Sequence, residues 1–158
     1  MFNMDEVEII SFNNINIQPC TNCNYECFDN KENCPFYNDE IKNIYNKILE
    51  SDFVYYVIPN YCGYPCANFF IFNERSVCVF SKEKELLDKY LQKSKKFIVI
   101  SSSNQENFKN ILQYQTIMAP DILFLNAREY NQRSIEGKLM DNENAKNQLI
   151  QFLSYMYS

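Results

Sequence analysis

The sequence predicts a single α/β domain built on a mostly parallel sheet, and three observations carry that expectation. Three short apolar runs, Phe53 to Ile58 (F-V-Y-Y-V-I), Phe97 to Ile100 (F-I-V-I) and Ile122 to Leu125 (I-L-F-L), have the β-branched and aromatic make-up of strands buried on both faces. Segments of helical periodicity, ten or more residues long, separate them, as crossovers between parallel strands require. The chain has 158 residues, 46% hydrophobic and 16% aromatic, enough for one buried core and too apolar for a disordered chain.

Taken in order, Val7 to Phe12 (V-E-I-I-S-F) reads as a first strand, followed by a polar, cysteine-rich loop. Asn38 is suited to cap a helix starting at Asp39. Ile41, Ile44, Tyr45, Ile48 and Leu49 give that helix one apolar face, and Asp39 and Glu40 suit its positive end. Phe53 to Ile58, ended by Pro59, reads as a central strand. Asn60 to Pro65 then forms a loop holding Gly63, one of only two glycines. Asn68 to Arg75 predicts a short aromatic helix. Lys82 to Leu91 predicts an amphipathic one through Leu86, Leu87, Tyr90 and Leu91. The Phe97 strand leads into Ser101-Ser102-Ser103. Spacing through Phe108, Ile111, Leu112 and Ile117 predicts a helix over Phe108 to Met118, stopped by Pro120 ahead of the Ile122 strand. Asn144 to Tyr157 closes the chain as a helix on Leu149, Ile150, Leu153 and Tyr157. No repeat, linker or low-complexity tract interrupts this single domain, residues 1–158.

Charge narrows the function. A net charge of −5 leaves no electrostatic footprint for nucleic acid. The lysines between Lys82 and Lys96 alternate with glutamates, which predicts a solvated helix face. The first residues lack a basic stretch followed by an apolar one, and no apolar run approaches the roughly 20 residues that cross a bilayer. A cytoplasmic protein with no membrane partner is expected, its thiols reduced. Seven cysteines cannot all pair within one chain, so a complete disulfide framework fails.

Four of those cysteines, Cys20, Cys23, Cys27 and Cys34, lie in the run P-C-T-N-C-N-Y-E-C-F-D-N-K-E-N-C-P. Thiolates this close in sequence can converge on one metal. With no histidine in the chain, a soft-metal site must be built of thiolate, with carboxylate or water at most. Cys34-Pro35 echoes the Cys-Pro ending of bacterial ferredoxin motifs, which points to iron–sulfur. Structural zinc sites join two knuckles across a longer spacer, unlike this compact run. An iron–sulfur cluster, zinc and a metal-free set of reduced cysteines all stay open. Cys78, in the apolar run V-C-V-F, reads as buried and inert.

In an open parallel sheet, ligands bind beyond the carboxyl ends of the strands. The predicted ends are Gln18 to Cys34, Pro59 to Asn68 and Ser101 to Gln105, so the cysteine loop is expected to line that edge. The second loop, P-N-Y-C-G-Y-P-C, offers Tyr61 and Tyr64 for stacking and Gly63 for close backbone approach. A planar aromatic cofactor needs such a wall, although packed loop tyrosines would read the same.

Pro19-Cys20-Thr21-Asn22-Cys23 is followed by Asn38-Asp39-Glu40-Ile41, Glu50-Ser51-Asp52, the Phe53 strand, Pro59-Asn60-Tyr61 and Asn73-Glu74-Arg75. Ser134 to Leu139 and Glu143-Asn144-Ala145 come later. In this order the chain resembles the flavodoxin-like NADPH-dependent FMN reductases, including the iron–sulfur flavoproteins, over nearly its whole length. The resemblance implies a flavodoxin-like three-layer sandwich. It also implies FMN held by Pro59, Asn60, Tyr61, Cys62, Gly63 and Tyr64, with Ser101, Ser102 and Ser103 at its other edge. A 4Fe-4S cluster at Cys20, Cys23, Cys27 and Cys34 is implied ahead of zinc. NAD(P)H or a redox partner protein would supply electrons, and a homodimer would form.

Two departures set the chain apart. The family's first strand and its Ser/Gly-rich phosphate loop have no counterpart here, so the domain is expected to be N-terminally incomplete relative to the family, and the Ser101 loop lacks a glycine. The first expectation is an FMN-dependent NAD(P)H oxidoreductase or electron-transfer flavoprotein. The alternatives are a degenerate, non-enzymatic domain that acts as a binding partner or subunit, and a fragment of a longer reductase.

Overall fold

A computed structural model describes residues 7–21, 23–102 and 106–154. The fold is α/β, with an open, mostly parallel sheet between two layers of helix, consistent with a flavodoxin-like sandwich. In chain order come α1 (Ile41–Glu50), β1 (Phe53–Tyr61), β2 (Tyr64–Pro65), α2 (Ala67–Phe80), α3 (Lys84–Gln92), β3 (Ser94–Ser101), α4 (Glu106–Leu112), β4 (Asp121–Asn126) and α5 (Glu143–Ser154). The sheet order is β2-β1-β3-β4. β1 and β4 both run parallel to β3, with Phe53 opposite Ser94 and Lys96 opposite Asp121, while β2 turns back antiparallel on the tip of β1.

Alternation along the strands sorts the core. Val54, Tyr56 and Ile58 of β1, Phe97 and Val99 of β3, and Ile122 and Phe124 of β4 face α1 to α4. Tyr55, Ile98, Ile100, Leu123 and Leu125 face α5. The first layer is aromatic: Tyr45 stacks on Phe72 at 4.5 Å and meets Phe80 and Tyr90 edge-on, while Tyr56 stacks on Phe97 at 5.1 Å. Among the described residues no helix is long and apolar enough to cross a membrane.

Several expectations need correction. Val7 to Phe12 is not a strand. It has no regular structure and ends in a turn at Phe12, and Ile10, Phe12, Ile15 and Ile17 pack onto the α1–α2 cluster instead of pairing with the sheet. β1 is therefore not a central strand buried on both faces. Among the described residues its far side carries only β2, opposite Asn60 and Tyr61, and Phe53 and Val57 are 39% and 62% exposed because α5 covers mainly β3 and β4. Pro59 does not end β1, whose strand runs on to Tyr61.

Asn60 to Pro65 is a tight hairpin with Cys62 and Gly63 at positive φ, 53° and 86°, as a two-residue turn requires. α1 begins at Ile41, whose N–H bonds Asp39 Oδ1, so Asp39 takes the role expected of Asn38. The short aromatic helix is a 14-residue α2 that runs on through Cys78 to Phe80. α4 stops at Leu112 and gives way to a 3-10 turn, Gln113–Gln115, leaving Ile117 and Met118 exposed. The closing helix begins at Glu143, and residues 155–157 of its expected span lie outside the described residues.

The lysine stretch is not uniformly solvated. Lys95 and Lys96 are buried in β3. Lys95 Nζ donates to the carbonyls of Tyr90 and of Gln115, the latter at 2.6 Å, and lies over the Tyr90 ring. Lys96 Nζ, on the other face, donates to Phe152 O and stands 3.4 Å from Asp121.

Candidate functional site

The residues singled out by sequence fall into two groups at opposite ends of α2. The first lies where β1 and β3 end. Asn60, 9% exposed, joins them: its Nδ2 donates to Ser101 Oγ at 2.8 Å and its Oδ1 accepts from Gly63 N–H at 2.8 Å. One amide therefore fixes the hairpin turn and ties it to the neighbouring strand.

Pro59 is half-buried, Gly63 and Ser101 are buried, and Cys62 is exposed at the turn. Tyr61 and Tyr64, directly opposite each other across the hairpin, stay 62% and 51% exposed. Ser102 Oγ donates to Ser134 Oγ at 2.9 Å and accepts from Ser134 N–H, so the 3-10 turn at Ser134–Glu136 joins this edge. Ser103 lies outside the described residues. The edge presents a shallow aromatic surface. A hollow of about 820 Å³ lies elsewhere, against β4, lined by Tyr114, Ile117, Met118, Pro120, Ile122 and Phe124.

The second group gathers at the other end of α2, so the expectation that the cysteine loop lines the sheet edge is not met. The loop folds as two 3-10 turns, Glu26–Phe28 and Lys31–Asn33, against the C-terminal half of α2. Lys82 Nζ donates to Asp29 O, and Lys31 pairs with Glu83 at 2.8 Å. From Cys66 to Cys78 the rise of the helix amounts to roughly 18 Å.

Arg75 anchors this end. It is fully buried and holds Asp39 bidentately at 2.6 and 3.3 Å, while its Nη1 and Nη2 donate to Gln18 O and Phe36 O at 2.7 and 3.1 Å. Burial works against its charge, but the Asp39 carboxylate and the Cys78 sulfur together hold the guanidinium above its usual pKa. Next to it, Glu74 Oε1 accepts from Cys20 N–H at 2.7 Å. The segment around Gln18, the cysteine loop and the start of α1 are all pinned to α2 at this point.

The thiols that come together are not the predicted four. Cys27, Cys34 and Cys78 form one buried cluster, with Cys34 Sγ 3.6 Å from Cys78 Sγ. Exposed Cys20 lies outside that cluster, its Sγ donating to Glu74 O at 3.9 Å. Cys23 stands outside this cluster. Burial, then the Cys78 sulfur and Glu74, push the Cys20 thiol up to about 12. Burial raises Cys34 too, against the Phe36 N–H that bonds its sulfur.

Cys78, buried as its apolar run predicts, joins the loop cysteines through Cys34. The signal was its i, i+3 spacing from Arg75, which puts both on one face of α2. Among the described residues no three cysteine, aspartate or glutamate side chains are gathered to hold a metal ion. The donor set among the described residues does not fit an iron–sulfur or zinc centre.

Comparison with protein-family models, with curated proteins and with solved structures finds no match to this chain.

Proposed function

We propose that the chain is a flavin-dependent redox domain, taking electrons from NAD(P)H or a redox partner protein. The flavin ring would lie against Tyr61 and Tyr64 beside Ser101 and Ser102. The observation that carries this is the Asn60 amide bonded to both Ser101 and the Gly63 N–H. It holds two exposed aromatic side chains at the carboxyl ends of parallel strands, where ligands of such sheets bind. Bound there, a flavin would supply the one- and two-electron chemistry, and no acid or base from the protein is needed. The part left to these residues is to stack, to orient and to keep the turn rigid.

Two exposed tyrosines suit a ring such as that of FMN, whereas the sequence offers no Ser/Gly-rich loop for its phosphate. Riboflavin and FMN are therefore expected to bind within about threefold of each other, with Tyr61→Ala or Tyr64→Ala weakening both about tenfold. Titration followed by flavin fluorescence measures this. Binding of neither flavin at about 100 µM would sink the reading, and a strong preference for FMN would mean that a phosphate site exists after all.

We also propose a homodimer formed through β1. Phe53 and Val57 are exposed on the strand that β2 covers only at its tip, and a second copy would bury them. Sedimentation is expected to give a dimer that Val57→Asp converts to monomer. A wild-type monomer at about 10 µM would refute it.

A further inference from the structure

We propose that the outer edge of β4 is a docking groove for an extended segment of a partner protein, one with large apolar residues at alternate positions. This surface is independent of the flavin reading, since it lies at the opposite edge of the sheet from the hairpin. β4 is the last strand in the order β2-β1-β3-β4, and among the described residues no strand pairs with its far side. Its register against β3 runs unbroken from Lys96–Asp121 to Ser101–Asn126, so no bulge twists that edge away. After Asp121 the strand reads I-L-F-L-N, with none of the lysines or prolines that guard solvent-facing edges. Burial shows the gap. Phe97, Ile98 and Val99 of β3 are buried, whereas their partners Ile122, Leu123 and Phe124 are only half-buried.

The shape beside this edge decides the occupant. Ile122 and Phe124, on the α4 side, line the hollow of about 820 Å³. Its other wall carries Tyr114, Ile117 and Met118, which are 76%, 61% and 80% exposed. A strand added about 4.8 Å beyond β4 sets every second side chain on the side of Ile122 and Phe124, over that hollow. Its backbone meets the unpaired N–H and C=O groups of the edge while those side chains fill the space. A helix satisfies its own backbone and leaves the edge bare. A second copy paired about a two-fold axis sets hollow beside hollow and fills neither. β4 has six residues, so the segment it pairs with is roughly 20 Å long. The net charge of −5, with the Asp121 carboxylate 54% exposed at one end of the edge, favours basic flanks on that segment.

The test uses the folded full chain and a fluorescein-labelled probe peptide, K-T-L-T-F-T-L-T-K, titrated by fluorescence anisotropy. A Kd below about 100 µM is expected. Of two probes N-methylated in alternate frames, one is expected to bind at least about tenfold more weakly and the other near the parent, because only every second residue turns its N–H to β4. Met118→Asp is expected to weaken the parent probe at least about fivefold. Hydrogen exchange is expected to slow over residues 121–126 and to stay unchanged over Phe53–Tyr61, the strand at the other edge. No binding at about 1 mM protein, equal binding of both methylated probes, or protection over Phe53–Tyr61 alone would overturn the proposal. So would self-association of Val57→Asp that protects residues 121–126 without any probe, since a second copy would then hold the edge. The wild-type exchange map decides the site even where a variant fails to fold.

Discussion

Arg75→Met is expected to lower stability by about 3–5 kcal/mol in urea unfolding, because it leaves the Asp39 carboxylate without its partner in a site that excludes water. The loss reaches beyond one ion pair. Gln18 O and Phe36 O lose their donors as well, and each unmade buried hydrogen bond costs about 1–3 kcal/mol. The double variant Asp39→Leu with Arg75→Met is expected to recover part of that loss, since removing both charges removes the uncompensated one. A change below about 1 kcal/mol in Arg75→Met would show that water reaches the site and that the pair is not the anchor described here.

The second large effect is a pH dependence set by Lys95. Burial, with a small contribution from Lys93, brings its pKa down from 10.5 to about 7 in the folded protein. Between these values the unfolded chain holds a proton that the folded one does not, so stability rises with pH, by at most about 1.4 kcal/mol per unit. Below about pH 7 both states carry the charge and the folded state bears its burial. Cys20 has the opposite sign. Its folded pKa, near 12 against 9.0, makes stability fall as pH climbs above about 9, and the raised Tyr45, Tyr56 and Tyr90 hydroxyls act in the same sense above about 10. Stability is therefore expected to peak near pH 9. Lys95→Met should flatten the rise between about pH 7 and 9 in urea titrations across that range, and an unchanged slope would place the proton elsewhere.

The parallel strands and the helices between them were legible in the sequence because their residues answer to local rules. Continuous apolar runs marked β3 and β4, and one clean stripe marked α1. The edge character of β1 was not legible from its own residues, since F-V-Y-Y-V-I reads the same with or without a neighbour. What decided it was the absence of pairing by Val7 to Phe12, a tertiary preference for the helices. Lys95 and Lys96 looked solvated because charge patterning cannot see backbone carbonyls from distant segments.

The site was half legible. Pro59 to Tyr64 and Ser101 to Ser102 do meet, because both follow strands that pair in register. The cysteine set was misread because proximity in sequence stood in for proximity in space. Cys78, 44 residues from Cys34, reaches the loop only because α2 runs on past Arg75.

That continuation has a mechanical meaning. α2 starts at the foot of the aromatic hairpin and carries Cys78 near its far end, so the hairpin and the buried thiols are mounted on one rod. No side chain spans roughly 18 Å, and the interior of a helix this length bends little. A change of bonding state at the sulfur end can reach the tyrosine end only by tilting or sliding the whole rod. The two ends are joined as by a lever rather than by a wire.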